Sequence, residues 1–159
     1  MSAPFLISPA GQDPIILETH INSSIERVFQ AWTTVEDILK WFGAKPLSSA
    51  EVDLRVGGRW AFRYDGEDGS YEMLKGEYVD IRPCERLVFT WTHEAVQPGE
   101  ALKVTPQSEV TVTFTPTEQG TTIRLVHAAI QRESGRLGVG AGWSASFQGL
   151  AAWLKSSEV

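Results

Sequence analysis

The stretch VGAGWSASFQGLAAWL, residues 139–154, decides the fold. Val139, Trp143, Phe147, Leu150 and Leu154 recur at steps of four, four, three and four, which puts them on one face of an α-helix. An amphipathic helix of about five turns is expected, roughly 18 residues and 27 Å long. The glycine-rich residues 133–142 before it read as a flexible hinge or a close-packing requirement. Gly138, Gly140 and Gly142 faintly resemble a nucleotide loop, but no phosphate-binding lysine follows them.

Upstream, the hydrophobic period changes from helical to alternating. Val110, Val112 and Phe114 alternate with threonines, and Ile123, Leu125 and His127 follow after a Glu118-Gln119-Gly120 turn. Leu87, Phe89, Trp91 and His93 form another alternating run, as do Trp60, Phe62 and Tyr64. Arg59 and Arg63 fall on the opposite, solvent side of that last run. Glu51 to Arg55 reads as a short strand ending at Gly57-Gly58. Tyr71 to Ile81 reads as a strand of unresolved parity, because Leu74 and Tyr78 share one register and Tyr71, Met73, Val79 and Ile81 the other. A bulge near Gly76 would reconcile them. Residues 95–107 read as a long loop.

At the front, residues 1–14 carry Pro4, Pro9, Gly11 and Pro14 and predict an extended or loosely ordered arm. Ile15 to Ile21 predicts a strand. Ser23 and Glu26 make a capping box for a helix over 24–33, and Thr34 and Asp37 repeat the pattern for a second over 35–42. Their apolar stripes are Ile25, Val28, Phe29 and Trp32, then Ile38, Trp41 and Phe42.

The order is therefore strand, two short helices, about six strands and a long helix. Consecutive strands with short turns imply an antiparallel meander. One sheet face must be covered, and only the last helix is long enough. The expected fold is α+β, a helix-grip arrangement β-α-α-β6-α, with a curved antiparallel sheet wrapped around the long C-terminal helix. One domain over residues 15–156 suits the length of 159.

The chain carries 14 Lys plus Arg and 20 Asp plus Glu, for a net charge of −6, with the signs interleaved. An acidic surface disfavours nucleic acid and anionic membranes. No apolar run approaches the roughly 18 residues of a membrane span, so no membrane insertion is expected. A single cysteine, Cys84, and a start without a basic, apolar leader predict a cytoplasmic protein.

Several segments resemble the SRPBCC superfamily (START-like, pollen-allergen-like). They are similar within it to the activator of heat-shock-protein ATPase homologue-like group. The carrying segments are residues 24–33, Trp41-Phe42-Gly43, residues 53–60, Gly76-Glu77-Tyr78 and residues 81–91. Ser108 to Val112, Gly120-Thr121-Thr122, His127 and Gly142-Trp143 complete the series. They span about residues 15–155 in the family's order. The resemblance implies a START-like fold with ligand or lipid binding in its cavity, and occasionally catalysis.

The candidate ligand pocket is aromatic: Trp41, Trp60, Phe62, Phe89, Trp91, Trp143 and Phe147, with His127 as an inward polar residue. Rings of this size could line a cavity or fill it. His93 is expected inward beside Trp91. His127 would be a polar anchor, an acid/base, or a core histidine satisfied by a neighbour. No spacing of His, Cys, Asp and Glu suggests a metal, no cofactor is implied, and Cys84 reads as an inert thiol. The leading expectation is binding of a small apolar molecule without catalysis. The alternatives are a co-chaperone-like interaction module, with a chaperone or a second copy as partner, and a cyclase- or hydrolase-like enzyme using His127.

Overall fold

The computed structural model describes residues 5–156. Its strands are β1 (Phe5–Leu6), β2 (Ile15–Ile21), β3 (Ser49–Val52), β4 (Arg59–Asp65), β5 (Tyr71–Arg82), β6 (Arg86–Val96), β7 (Lys103–Val104), β8 (Ser108–Thr117) and β9 (Gly120–Ala128). Its helices are α1 (Ile25–Thr33), α2 (Val35–Trp41) and α3 (Glu133–Ser156). All strand pairs are antiparallel, in the order β1-β2-β9-β8-β6-β5-β4-β3, with β7 beside β6. This is the expected helix-grip architecture. Alternate residues of β2, β8 and β9 face inward and lose their water in the core shared with α3.

The inward face follows the alternation. Ile15, Leu17, Thr19 and Ile21 of β2 are buried, as are Val110, Val112 and Phe114 of β8 and Ile123, Leu125 and His127 of β9. From α3, Trp143, Phe147, Leu150 and Leu154 are buried against them, with Val139 partly so.

Several local expectations change. The cap of α1 is Ser24, one residue later than expected, and its Oγ accepts from Arg27 N at 3.2 Å. The Thr34 side chain makes no capping bond, and Asp37 turns away from the helix end to meet Arg27. β3 covers Ser49–Val52 and stops short of the two glycines. The bulge of β5 lies at Val79, not Gly76: Tyr78 faces Phe89 while Asp80 faces Val88. Leu74 and Tyr78 therefore point inward before the bulge and Ile81 after it. The 95–107 segment is not a plain loop, because β6 runs on to Val96 and β7 folds back on it. The glycine-rich residues are not a hinge before α3 but its first turns, which lengthens the helix to 24 residues, about 36 Å. Residues 1–4 of the expected N-terminal arm lie outside the described residues, and residues 5–14 are anchored rather than loose. There β1 pairs with β2, Asp13 Oδ1 accepts from Ala129 N at 2.9 Å, and Gly11 O accepts from Arg136 Nε at 2.6 Å.

One polar cluster ties the three helices together. Arg27 donates to both oxygens of Asp37, at 3.1 and 2.8 Å, and Trp153 Nε1 donates to Asp37 Oδ1 at 2.8 Å. Burial opposes ionisation of Asp37, but the bonds from Arg27 and Trp153 outweigh it and hold its pKa below the ordinary carboxylate value. Asp37→Ala leaves the Trp153 donor and Arg27 without their shared acceptor. A loss of about 2 kcal/mol in urea unfolding is expected, with a smaller loss for Arg27→Ala because that side chain is partly solvated.

Among the described residues, no helix is long and apolar enough to cross a membrane.

Candidate functional site

The site lies where α3, the α1–α2 pair and strands β4, β5 and β6 meet. α2 presents Trp41, whose Nε1 donates to Ala31 O at 2.8 Å and so locks the turn between α1 and α2. α3 comes very close to this turn. A Cβ at Gly149 would stand 2.6 Å from Trp41 O, which is why the helix has a glycine there. Ser146 Oγ accepts from Gly43 N at 2.9 Å on the same side.

The rings then pack edge to face and at tilted angles. Centroid separations are 4.8 Å for Phe42–Phe62, 4.9 Å for Trp60–Phe62, 5.6 Å for Trp60–Trp91 and 5.3 Å for Trp91–Trp143. Trp32 stacks on Trp143 at 6.0 Å. Between them remains a cavity of about 20 Å³, lined by Trp32, Ile38, Trp41, Phe42, Trp60, Phe62, Tyr78, Leu87, Phe89, Trp91 and Trp143. That is room for one water, whereas a benzene-sized guest needs on the order of 150 Å³. In this conformation the rings mostly fill the space that they line.

All eight candidate residues are buried in the core. Trp41, Trp60, Phe62, Phe89, Trp91 and Trp143 meet at the cavity, whereas His127 and Phe147 sit behind Trp143 and do not line it. Sequence reasoning missed five of the lining residues. Ile38, Phe42 and Trp32 lie on helical stripes that read as ordinary core. Tyr78 was hidden by the bulge after it, and Leu87 by its plain aliphatic character.

His127 is fully buried and fully bonded. Trp143 Nε1 donates to its Nδ1 at 3.1 Å, which leaves the proton on Nε2, 2.7 Å from Ser108 Oγ. The Ser108 hydroxyl passes the chain on to Trp91 O at 3.4 Å. Burial pushes the His127 pKa down to about 3, so the ring is neutral at physiological pH. Its two nitrogens are both occupied, and so weak a base has little proton affinity for catalysis. His93, expected inward, is half-buried near the strand end and pairs with Glu72 Oε1 at 3.0 Å.

Two indoles differ from those of Trp41, Trp143 and Trp153. Trp32 Nε1 and Trp60 Nε1 are buried without an acceptor. Among the described residues, no group of three or more His, Cys, Asp and Glu could hold a metal ion.

The first turns of α3 form a different kind of wall. Gly135, Gly138, Gly140 and Gly142 fall within ten residues. A Cβ at Gly138 or Gly142 would meet nothing within 4 Å, and one at Gly140 would come no nearer than 3.9 Å to Ile15. Packing does not demand glycine at these three positions. Each costs about 1 kcal/mol of helix stability relative to alanine, so this half of α3 is intrinsically weak.

No curated protein matches the chain by sequence. Among solved structures, a protein of Arthrobacter aurescens is similar with a TM-score of 0.75 and 18% identity, over 96% of this chain and 91% of that one. A protein of Nitrosomonas europaea is similar at 0.74 and 21%, over 95% and 99%. CalU16 of Micromonospora echinospora is similar at 0.67 and 26%, over 96% and 83%. These likenesses agree with the helix-grip fold. The sequence profile of the family described as "Activator of Hsp90 ATPase homolog 1-like protein" matches residues 22–155. With that match over most of its length, the chain belongs to the activator of Hsp90 ATPase homolog 1-like family, of the SRPBCC (START-like) type.

Proposed function

We propose that this protein binds a small hydrophobic molecule between its sheet and α3, as a cytoplasmic carrier or sensor and without catalysis. The contrast between the cavity's walls carries this reading. The sheet wall is the antiparallel ladder of β4, β5 and β6, broken only by the bulge in β5, and the α1–α2 wall is held by the Arg27–Asp37–Trp153 cluster. The third wall is Trp143, at the junction between the glycine-rich turns of α3 and its buried C-terminal half. Loosening of residues 133–142 lets Trp143 move and the cavity widen, while the rest of the core stays packed. A lining of rings and aliphatic side chains without a charged group then takes an apolar guest.

The test is a titration with phenylnaphthylamine, a neutral fluorescent apolar probe, together with hydrogen exchange. Saturable uptake of one probe per chain is expected, with quenching of tryptophan emission. Amides of residues 134–142 should exchange at least about tenfold faster than those of 144–154, and the probe should slow them. Absence of uptake, with uniform protection along α3, would overturn the reading.

A second reading is an interaction module that engages a chaperone or another copy. It draws on Leu102 and Val104, both half-exposed around β7. Two side chains fall short of the few hundred Å² of contiguous apolar surface that marks a docking site. The third reading, an enzyme of cyclase or hydrolase type, would stand on His127, whose bonding leaves it no free nitrogen.

A further inference from the structure

The chain has six tryptophans, and the indole N–H groups of five of them fall into two sets. Trp41 donates to Ala31 O at 2.8 Å, Trp143 to His127 Nδ1 at 3.1 Å and Trp153 to Asp37 Oδ1 at 2.8 Å. Trp32 and Trp60, only 6% and 3% exposed, donate to nothing. A buried donor left unpaired costs about 1–3 kcal/mol, so each such group calls for an explanation. Both unpaired donors belong to rings that line the same cavity, one from α1 and one from β4.

The rest of that lining narrows the chemistry. It contains no Arg, Lys, His, Asp or Glu. A charged guest would lose its hydration with no counter-charge to replace it, which costs far more than one hydrogen bond returns. A pure hydrocarbon would leave both N–H groups unpaired. The wall is otherwise made of flat rings, which stack best on flat guests.

We infer that the cavity selects a flat, neutral, apolar molecule bearing a hydrogen-bond acceptor, a carbonyl or ether oxygen, and that the Trp32 and Trp60 indole N–H groups are its specificity determinants. This rests on the ligand-binding reading above, and deepens it. The acceptor gives an N–H of this pair the partner that the protein itself withholds. That gain appears only when the guest is bound, so it discriminates between guests rather than adding to the stability of the empty protein.

Indanone and indane test this, being a ketone and a hydrocarbon of nearly the same shape. The wild-type protein is expected to bind indanone about tenfold more tightly than indane, the worth of one buried hydrogen bond. In proton–nitrogen correlation spectra, indanone should shift the Trp32 and Trp60 indole signals downfield and leave that of Trp153 in place. Trp32→Phe and Trp60→Phe remove the N–H while keeping an apolar ring, and each should bring the indanone-to-indane ratio toward one. The wild-type ratio and spectra decide the matter even where a variant folds poorly. Equal binding of both probes, with the two indole signals unmoved, would overturn the specificity assignment and leave the pocket standing. Binding of neither probe would overturn both.

Discussion

Gly76→Ala is expected to cost about 4 kcal/mol or more, enough to leave a domain of ordinary stability largely unfolded. Gly76 sits in β5 directly opposite Trp60 of β4. A Cβ there would stand 1.9 Å from Thr90 O and 2.6 Å from the carbonyl carbon of Thr90, and 2.8 Å from Trp60 Nε1. The first two are backbone atoms of β6. They cannot retreat without breaking the β5–β6 ladder, which continues on both sides through Lys75–Thr92 and Tyr78–Phe89. The third is a cavity ring, so the substitution strikes the fold and the site together. Urea unfolding followed by tryptophan fluorescence reads the loss. Gly142→Ala is the internal contrast. Its Cβ meets nothing within 4 Å, and the residue is helical, so a gain of up to about 1 kcal/mol is expected. A Gly76→Ala protein that unfolds at the wild-type urea midpoint would show that the sheet is not packed as described.

These two glycines also mark how far the sequence could be read. The alternation of Trp60, Phe62, Phe89, Trp91, Leu125 and His127 and the stripe from Trp143 to Leu154 are periodic, and periodicity survives in a linear string. The antiparallel meander of consecutive strands followed from it, but the pairing of β2 with β9 did not. What failed was whatever depends on one backbone meeting another. Gly76 and Val79 are three residues apart in an ambiguous strand. Only the paired structure shows that the first accommodates a neighbouring carbonyl and the second absorbs the bulge. The glycines of 135–142 argued against a helix by propensity, yet the turns form as a continuation of a helix already fixed by Trp143, Phe147 and Leu150. At the site, six of the eight candidate residues meet at the cavity because inward aromatics of neighbouring strands must converge. His127 was foreseen as inward but not as bonded on both sides, because Ser108 lies 19 residues away and the Trp143 ring 16 residues away. Trp32 was placed on a core stripe, and nothing in the sequence says that its N–H finds no acceptor.

Between pH 7 and pH 4 the wild-type protein is expected to lose about 3 kcal/mol of stability through His127 alone. In the unfolded chain its pKa is the ordinary 6.5, and in the folded protein burial holds it near 3. The fold therefore favours the neutral ring. The resulting stabilisation is fully present above pH 6.5 and falls by about 1.4 kcal/mol per pH unit below it, until the folded-state pKa is reached. Carboxylates held below their ordinary value, such as Asp37, lose their contribution only as the pH drops through and below 3.8, beneath most of the histidine's window. His127→Gln should flatten the stability profile across that window. At pH 7 it should also cost about 2 kcal/mol, because an amide cannot reach both Trp143 Nε1 and Ser108 Oγ as the imidazole does. Urea midpoints of both proteins at half-unit pH steps measure the slope, and the ring-proton shifts of His127 should stay flat down to pH 4. Titration of His127 near 6.5 in the folded protein would refute the account. The outcome bears on the site as well. The neutral Nδ1 is the acceptor that positions Trp143, the cavity wall supplied by α3, and a protonated ring would offer that indole a second donor instead of a partner. Acid should therefore loosen the Trp143 wall before it unfolds the sheet.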